Sequence, residues 1–201
     1  MYPLKPAYAR GDNLAMTAKS RSEPAGAKTR GYFAIGAERI SKQLNVGNMV
    51  RSAHAFGASF VFTVGAEYSG AEAHADTSKT PLHVPLYHWD SPDDMVLPQG
   101  CSLVGVELLD DAVDLPSFRH PLQAAYVLGP ERGELSPALL ARCDHVVKIP
   151  TAFCINVAMA GAIVMYDRVR SLGRFAPRPV TAGGPVAALP EHVHGAPKRR
   201  R

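Results

Sequence analysis

The sequence has no apolar run of about 18 residues, the length a membrane span needs. Its opening, MYPLKPAYARGDN, lacks the apolar stretch of a secretory signal. Three cysteines, Cys101, Cys143 and Cys154, are too few and too widely spaced for a disulfide framework. They point to a reducing compartment, and a cytoplasmic location is expected. The His and Cys positions have no zinc spacing, with His192-Val193-His194 reading as incidental, so no metal is expected. The Gly-x-Gly-x-x-Gly turn of dinucleotide-binding sheets is missing, and so is a P-loop, which disfavours a dinucleotide enzyme or an NTPase. No internal repeat is visible.

What is present is a chain of 201 residues, 46% apolar and 20% charged, as expected for one globular domain with tails. The net charge of +4 is unevenly spread. Residues 1–30 carry six Lys/Arg against two Asp/Glu, and residues 173–201 carry six against one. The middle, 31–172, holds ten against fifteen. Both ends are rich in Pro, Gly, Ala and Ser and lack periodicity. They read as flexible basic arms on a mildly acidic domain, serving either phosphate contact with nucleic acid or solubility alone.

Short apolar runs alternate with helical patterns across the middle. Tyr32 to Ala37, Phe60 to Val64, Leu103 to Leu108, Ala124 to Leu128 and Val146 to Ile149 read as buried strands. Val46–Phe56, Ser136–Arg142 and Ile155–Leu172 read as helices. The order predicts an α/β domain with a mostly parallel sheet and helices on both faces. The segment 66–100 is less regular and suggests only a poor helix and a turn. Ligands of such sheets bind beyond the carboxyl ends of the strands, where Gly129–Glu134 and Ile149–Asn156 fall.

Three segments carry the chemical signal. In the first, NVGNMVRSAHAFG at 45–57, Val46, Met49, Val50, Ala53 and Phe56 share one helix face, with Asn48 beside it and Arg51 well away. Asn45 is a plausible N-cap. Arg51 reads as a surface or a functional residue, and His54 as a solvated or satisfied histidine. The second segment is the Gly-rich turn Gly129-Pro130-Glu131-Arg132-Gly133-Glu134, with a carboxylate inside it. The third is Ile149-Pro150 followed by Cys154-Ile155-Asn156-Val157, which opens a helix apolar nearly all round and rich in small residues. Such a helix is expected to be buried on every side, partly at a subunit interface. It then turns basic at Arg168 and Arg170, charges that suit a helix C-terminus or contact phosphate.

Together these segments resemble the SPOUT methyltransferases, specifically the TrmH/SpoU group of RNA ribose 2'-O-methyltransferases, over residues 31–172. Asn45, Gly47, Asn48 and Arg51 stand in place of the group's first motif; Gly129, Glu131 and Gly133 match the second. The third appears as Ile149-Pro150 and Cys154-Ile155-Asn156-Val157, with Cys154 where Ser is usual and a shorter loop. The resemblance implies a C-terminal trefoil knot and a homodimer through the last helix. It implies S-adenosylmethionine as cofactor, held at Gly129, Pro130, Glu131, Gly133, Ile149, Cys154 and Ile155. It also implies an RNA substrate, tRNA or rRNA, met by Asn48, Arg51, Arg168 and Arg170. Arg51, Asn45, Glu131 and Asn156 are the implied catalytic set. Arg51 stabilises the developing alkoxide rather than acting as base, because guanidinium has a pKa above about 12. Glu131 organises the turn, and Asn156 and Cys154 shape the pocket. Two alternatives stay open: a non-catalytic RNA-binding protein of the same fold, and a thiol enzyme using Cys154 at a helix N-terminus.

Overall fold

The structure, a computed structural model, describes residues 31–67, 84–173, 175 and 182–183. The two basic arms expected at 1–30 and 173–201 lie almost entirely outside the described residues. Within them, β1 (Tyr32–Glu38), β2 (Phe60–Val64), β3 (Leu86–Trp89), β4 (Ser102–Val106), β5 (Val113–Asp114), β6 (Gln123–Leu128) and β7 (His145–Lys148) form one sheet. Its order is β3-β2-β1-β6-β4-β7-β5, and every neighbouring pair is parallel. The central pair, β1 and β6, runs in register from Tyr32 opposite Gln123 to Ala37 opposite Leu128. Parallel strands buried on both faces are continuous apolar runs, and so the five expected strands appear within one or two residues of their predicted bounds.

Alternation along β1 sorts the two cores. Phe33, Ile35 and Ala37 point to the face covered by α1 (Gln43–Phe56) and α3 (Val157–Leu172). Val46, Met49, Val50 and Ala53 of α1 meet them there with Ala160, Val164 and Met165 of α3. Ala34 points to the other face, with Phe62, Val64 and Trp89. That side is closed by Met95 and Leu135 and by the short α2 (Pro137–Leu140), whose N-cap is Ser136. Glu38, 2% exposed at the end of β1, accepts hydrogen bonds from the backbone N and the hydroxyl of Ser136 and so fixes where α2 starts.

Three expectations are corrected. Asn45 is not the N-cap of α1: the helix starts at Gln43 after Lys42, and the Asn45 side chain is turned inward. The irregular segment contains a strand, β3, an aromatic-rich edge between Pro85 and Asp90. On α3, Ala158, Ala160 and Gly161 face inward, whereas Met159, Ile163 and Tyr166 form a stripe that is exposed in the single chain. Arg168 is 1% exposed and not presented to an RNA backbone. Its guanidinium donates to the carbonyls of Tyr32, Pro121 and Leu122 and to the Tyr126 hydroxyl, clamping the entrances of β1 and β6. Buried polar groups must be paired, and the guanidinium finds acceptors in the carbonyls where these strands begin; that of Leu122 accepts from Tyr32 N as well. Burial pushes the Tyr126 hydroxyl up to about 12, with Arg168 acting in the opposite direction.

Candidate active site

The loops after β4, β6 and β7 converge at the carboxyl edge of the sheet. The loop after β6 opens at Gly129, where a Cβ would lie 3.2 Å from both Glu107 Oε2 and the backbone N of Leu135. A Cβ there would be in tight contact, so glycine suits this approach. Gly133 has φ 108°, a conformation L side chains rarely adopt, which lets the turn close.

Between these glycines, Glu131 reaches to the start of α1. Its Oε2 accepts from the backbone N and the hydroxyl of Ser41, at 3.0 and 3.1 Å. Its Oε1 accepts from the backbone N of Lys42 at 2.9 Å and from Asn45 Nδ2 at 2.8 Å. Burial pushes this carboxyl up, but the bonds from Ser41, Asn45, Lys42 and its own backbone outweigh burial and hold the pKa at about 2. A carboxylate about 90 residues away in sequence thus takes the N–H of the N-cap Lys42, the donor that a capping-box carboxylate would take, and that of Ser41 before it.

Asn45 uses both ends of its amide. Its Oδ1 accepts from Asn156 Nδ2 at 3.0 Å. Asn156 in turn caps α3, its Oδ1 accepting from the backbone N of Ala158 and of Met159. The three expected motifs are therefore joined in one chain, Glu131–Asn45–Asn156, with Asn45 only 4% exposed.

Beside this chain lies a cavity of about 370 Å³. Gly129, Pro130, Glu131 and Gly133 form one wall, and Ile149, Cys154, Ile155 and Asn156 another. All seven residues expected to hold a cofactor line it. The sequence reading missed Lys42, Glu107, Leu108 and Thr151. For Glu107 a signal existed, a carboxylate at the end of a buried apolar strand; it accepts from Leu108 N and Leu135 N and braces the Gly129 turn. Lys148 Nζ donates to the carbonyls of Leu109 and Asp110, pinning the loop that carries Glu107 and Leu108.

Arg51 and Asn48 are exposed on α1 and line no part of this cavity. Arg170 is exposed and pairs with Asp167 at 3.8 Å. Cys154 is exposed at the cavity, whereas burial raises the Cys143 thiol to about 11 and also raises Cys101. No group of three or more His, Cys, Asp or Glu placed to hold a metal ion occurs among the described residues.

The chain is similar to the tRNA (guanosine(18)-2'-O)-methyltransferase TARBP1 of Mus musculus, 28% identical over 151 residues, which are 68% of this chain and 9% of that protein. It is similar to an uncharacterized tRNA/rRNA methyltransferase of Archaeoglobus fulgidus, 29% identical over 154 residues, 72% of this chain and 67% of that one. Among solved structures, the SpoU methyltransferase AviRb from Streptomyces viridochromogenes in complex with AdoMet superposes with a TM-score of 0.64 at 25% identity. That match covers 72% of this chain and 60% of AviRb. The chain thus spans a small part of the mouse relative and under two thirds of AviRb. The model of the SpoU rRNA Methylase family matches residues 32–166, from the start of β1 well into α3 and across all three motifs. The chain belongs to the SpoU rRNA Methylase family.

Proposed function

We propose that the protein is an S-adenosylmethionine-dependent RNA methyltransferase that methylates a ribose 2'-hydroxyl of tRNA or rRNA. The observation that carries this reading is the Glu131–Asn45–Asn156 chain, which gathers three separate segments around one cavity in a member of the SpoU family. The names of the relatives support RNA as substrate, and that of the mouse protein supports ribose as the acceptor.

The cavity suits the cofactor. Val106, Leu128, Ile149, Ile155 and Ala160 offer an apolar wall to a purine, and the bare backbone at Gly129 lets a ligand lie close to the chain. The cofactor, when bound, supplies an activated methyl group on a sulfonium. The protein must then orient the ribose and stabilise the charge that grows on its 2'-oxygen. Glu131 is poorly suited as the base, because its pKa is about 2 and four donors occupy its oxygens. It acts with Asn45 and Asn156 as a positioning unit. Its negative charge beside the cavity also favours a sulfonium.

Arg51 keeps its charge at any working pH and serves the developing alkoxide and the adjoining phosphate. It has no hydrogen bond or ion pair among the described residues, so it is free to turn towards RNA. Asn48, on the same exposed side of the chain, and Arg170 extend the RNA surface in this reading. The protein works as a homodimer: Met159, Ile163 and Tyr166, 63%, 38% and 56% exposed, make an apolar stripe for a second copy. The reading also includes the trefoil knot of the resemblance and a cytoplasmic location.

Arg51→Ala tests the assignment. Turnover is expected to fall by about 10²–10³, the usual loss for one charge-stabilising group, while cofactor affinity stays near normal. A near-normal single-turnover rate in the variant would contradict it.

A further inference from the structure

A second cavity, of about 360 Å³, adjoins the first and shares Lys42, Pro130 and Glu131 with it. It adds Arg39, Ser41, Glu67 and Arg132. We infer that this cavity is a phosphate subsite, in which Arg39, Arg132 and Lys42 hold the RNA backbone phosphate next to the ribose being methylated. The inference rests on the RNA methyltransferase reading above.

Charge is the first argument. All three cations are exposed, and none has an acidic partner among the described residues. Of the two carboxylates present, Glu131 is committed to four hydrogen-bond donors at the start of α1. Glu67 is the other, so three cations face two carboxylates and the cavity keeps a net positive charge.

Backbone geometry is the second. Arg39 has φ 48° and is the one non-glycine residue with positive φ among the described residues. Such a conformation costs about 1–3 kcal/mol and persists where its surroundings impose it. Here Arg39 N donates to the carbonyl of Val64 at 2.8 Å, and an Nη donates to the carbonyl of Glu134 at 2.6 Å. These bonds hold the guanidinium against the 130–134 turn, beside the cavity that Arg39 lines. A fork fixed in this way matches the paired unesterified oxygens of a phosphodiester.

Connectivity is the third. A ribose presented to the cofactor cavity carries its phosphates by covalent bonds, so the neighbouring phosphate must lie in an adjoining space. The cofactor's own carboxylate is the competing anion, but Arg39 and Arg132 do not line the cofactor cavity.

The test is the variant R39Q/R132Q, with R119Q, an exposed arginine before β6, as control. Affinity for unfractionated tRNA is measured against salt in the presence of S-adenosylhomocysteine, and affinity for S-adenosylhomocysteine is measured by calorimetry. Two lost phosphate contacts should lower the slope of log K on log salt by about 1.4–1.8, at roughly 0.7–0.9 each. Cofactor affinity and the slope of R119Q should match the wild type. R39K/R132K, which keeps the charges and lacks the fork, should restore the slope while tRNA binding stays weaker than wild type. An unchanged slope in R39Q/R132Q would overturn the subsite. So would a parallel loss of cofactor affinity with the fold intact, since the arginines would then be serving the cofactor's carboxylate. If R39Q/R132Q does not fold, a wild-type tRNA affinity in R39K/R132K overturns the fork. Methyl transfer by the wild-type protein is assayed separately; its absence would sink the activity reading, whereas the salt slope still decides the subsite.

Discussion

Asn156 Nδ2 donates to Asn45 Oδ1 at 3.0 Å, joining residues 111 apart in the chain. The bond ties the first turn of α1 to the cap of α3, and through Asn45 Nδ2 it continues to Glu131. Two helix N-termini and the Gly-rich turn are thereby fixed relative to one another at the cavity. An amide is the natural choice for the central position, since it must donate to a carboxylate and accept from another amide at once.

Asn45→Ala should therefore act on two sites. It removes a donor from Glu131 and leaves Asn156 Nδ2 without its partner. Asn156 is exposed and water can replace its partner, whereas a hydrogen bond to a charged group such as Glu131 is worth about 1.5–3 kcal/mol, and a loss of that size is expected in urea unfolding. Cofactor affinity should fall with it, because both walls of the cavity depend on the link. A stable variant with unchanged cofactor affinity would show that the link is incidental.

Glu131→Gln should change the acid dependence of stability. The folded pKa, about 2, lies below the ordinary value of 4.5. The ionised carboxylate therefore stabilises the fold fully above about pH 4.5, and this contribution fades as pH falls towards 2. Urea midpoints of wild type and variant should differ most above pH 4.5 and converge towards pH 2. A constant gap across that range would mean that Glu131 acts by shape and not by charge.

Most strands were legible because parallel strands buried on both faces are apolar throughout, and such runs stand out. That the seven residues expected at the cofactor would line one cavity was also legible, since they fall in loops at strand ends whose motifs survive in order. The roles of Arg168 and Asn45 were not. Periodicity places Arg168 in the basic last turns of a helix, where solvent is the default. Its burial is matched by acceptor carbonyls at Tyr32, Pro121 and Leu122, which are far from it in sequence. Asn45 looks like a local cap because its cap-like position is visible and its distant partner, Glu131, is not. β3 escaped because it is a four-residue edge strand, too short to show alternation.

Arg168→Met should test the buried clamp. The variant keeps much of the side chain's volume and removes four hydrogen bonds, each worth about 0.5–1.5 kcal/mol net. A fall in stability of several kcal/mol is expected, with the salt dependence of RNA binding unchanged in whatever protein remains folded. A stable variant with weakened RNA binding would restore the phosphate role that the sequence suggested.

Ile163→Asp should test the exposed stripe of α3. Ile163 is 38% exposed between Met159 and Tyr166. A carboxylate there is tolerated in a solvated monomer but is costly within an apolar contact. Sedimentation should show a dimer for the wild type and a monomer for the variant. A dimer in both would place the interface elsewhere.

The central claim is the transfer of a methyl group to ribose. Its most direct test is nucleoside analysis by mass spectrometry after the protein has acted on cellular RNA with isotope-labelled S-adenosylmethionine. The account predicts label in 2'-O-methylnucleosides, on the sugar fragment, in wild type and not in Arg51→Ala. Label on the base fragment, or no label in RNA with cofactor bound, would contradict it.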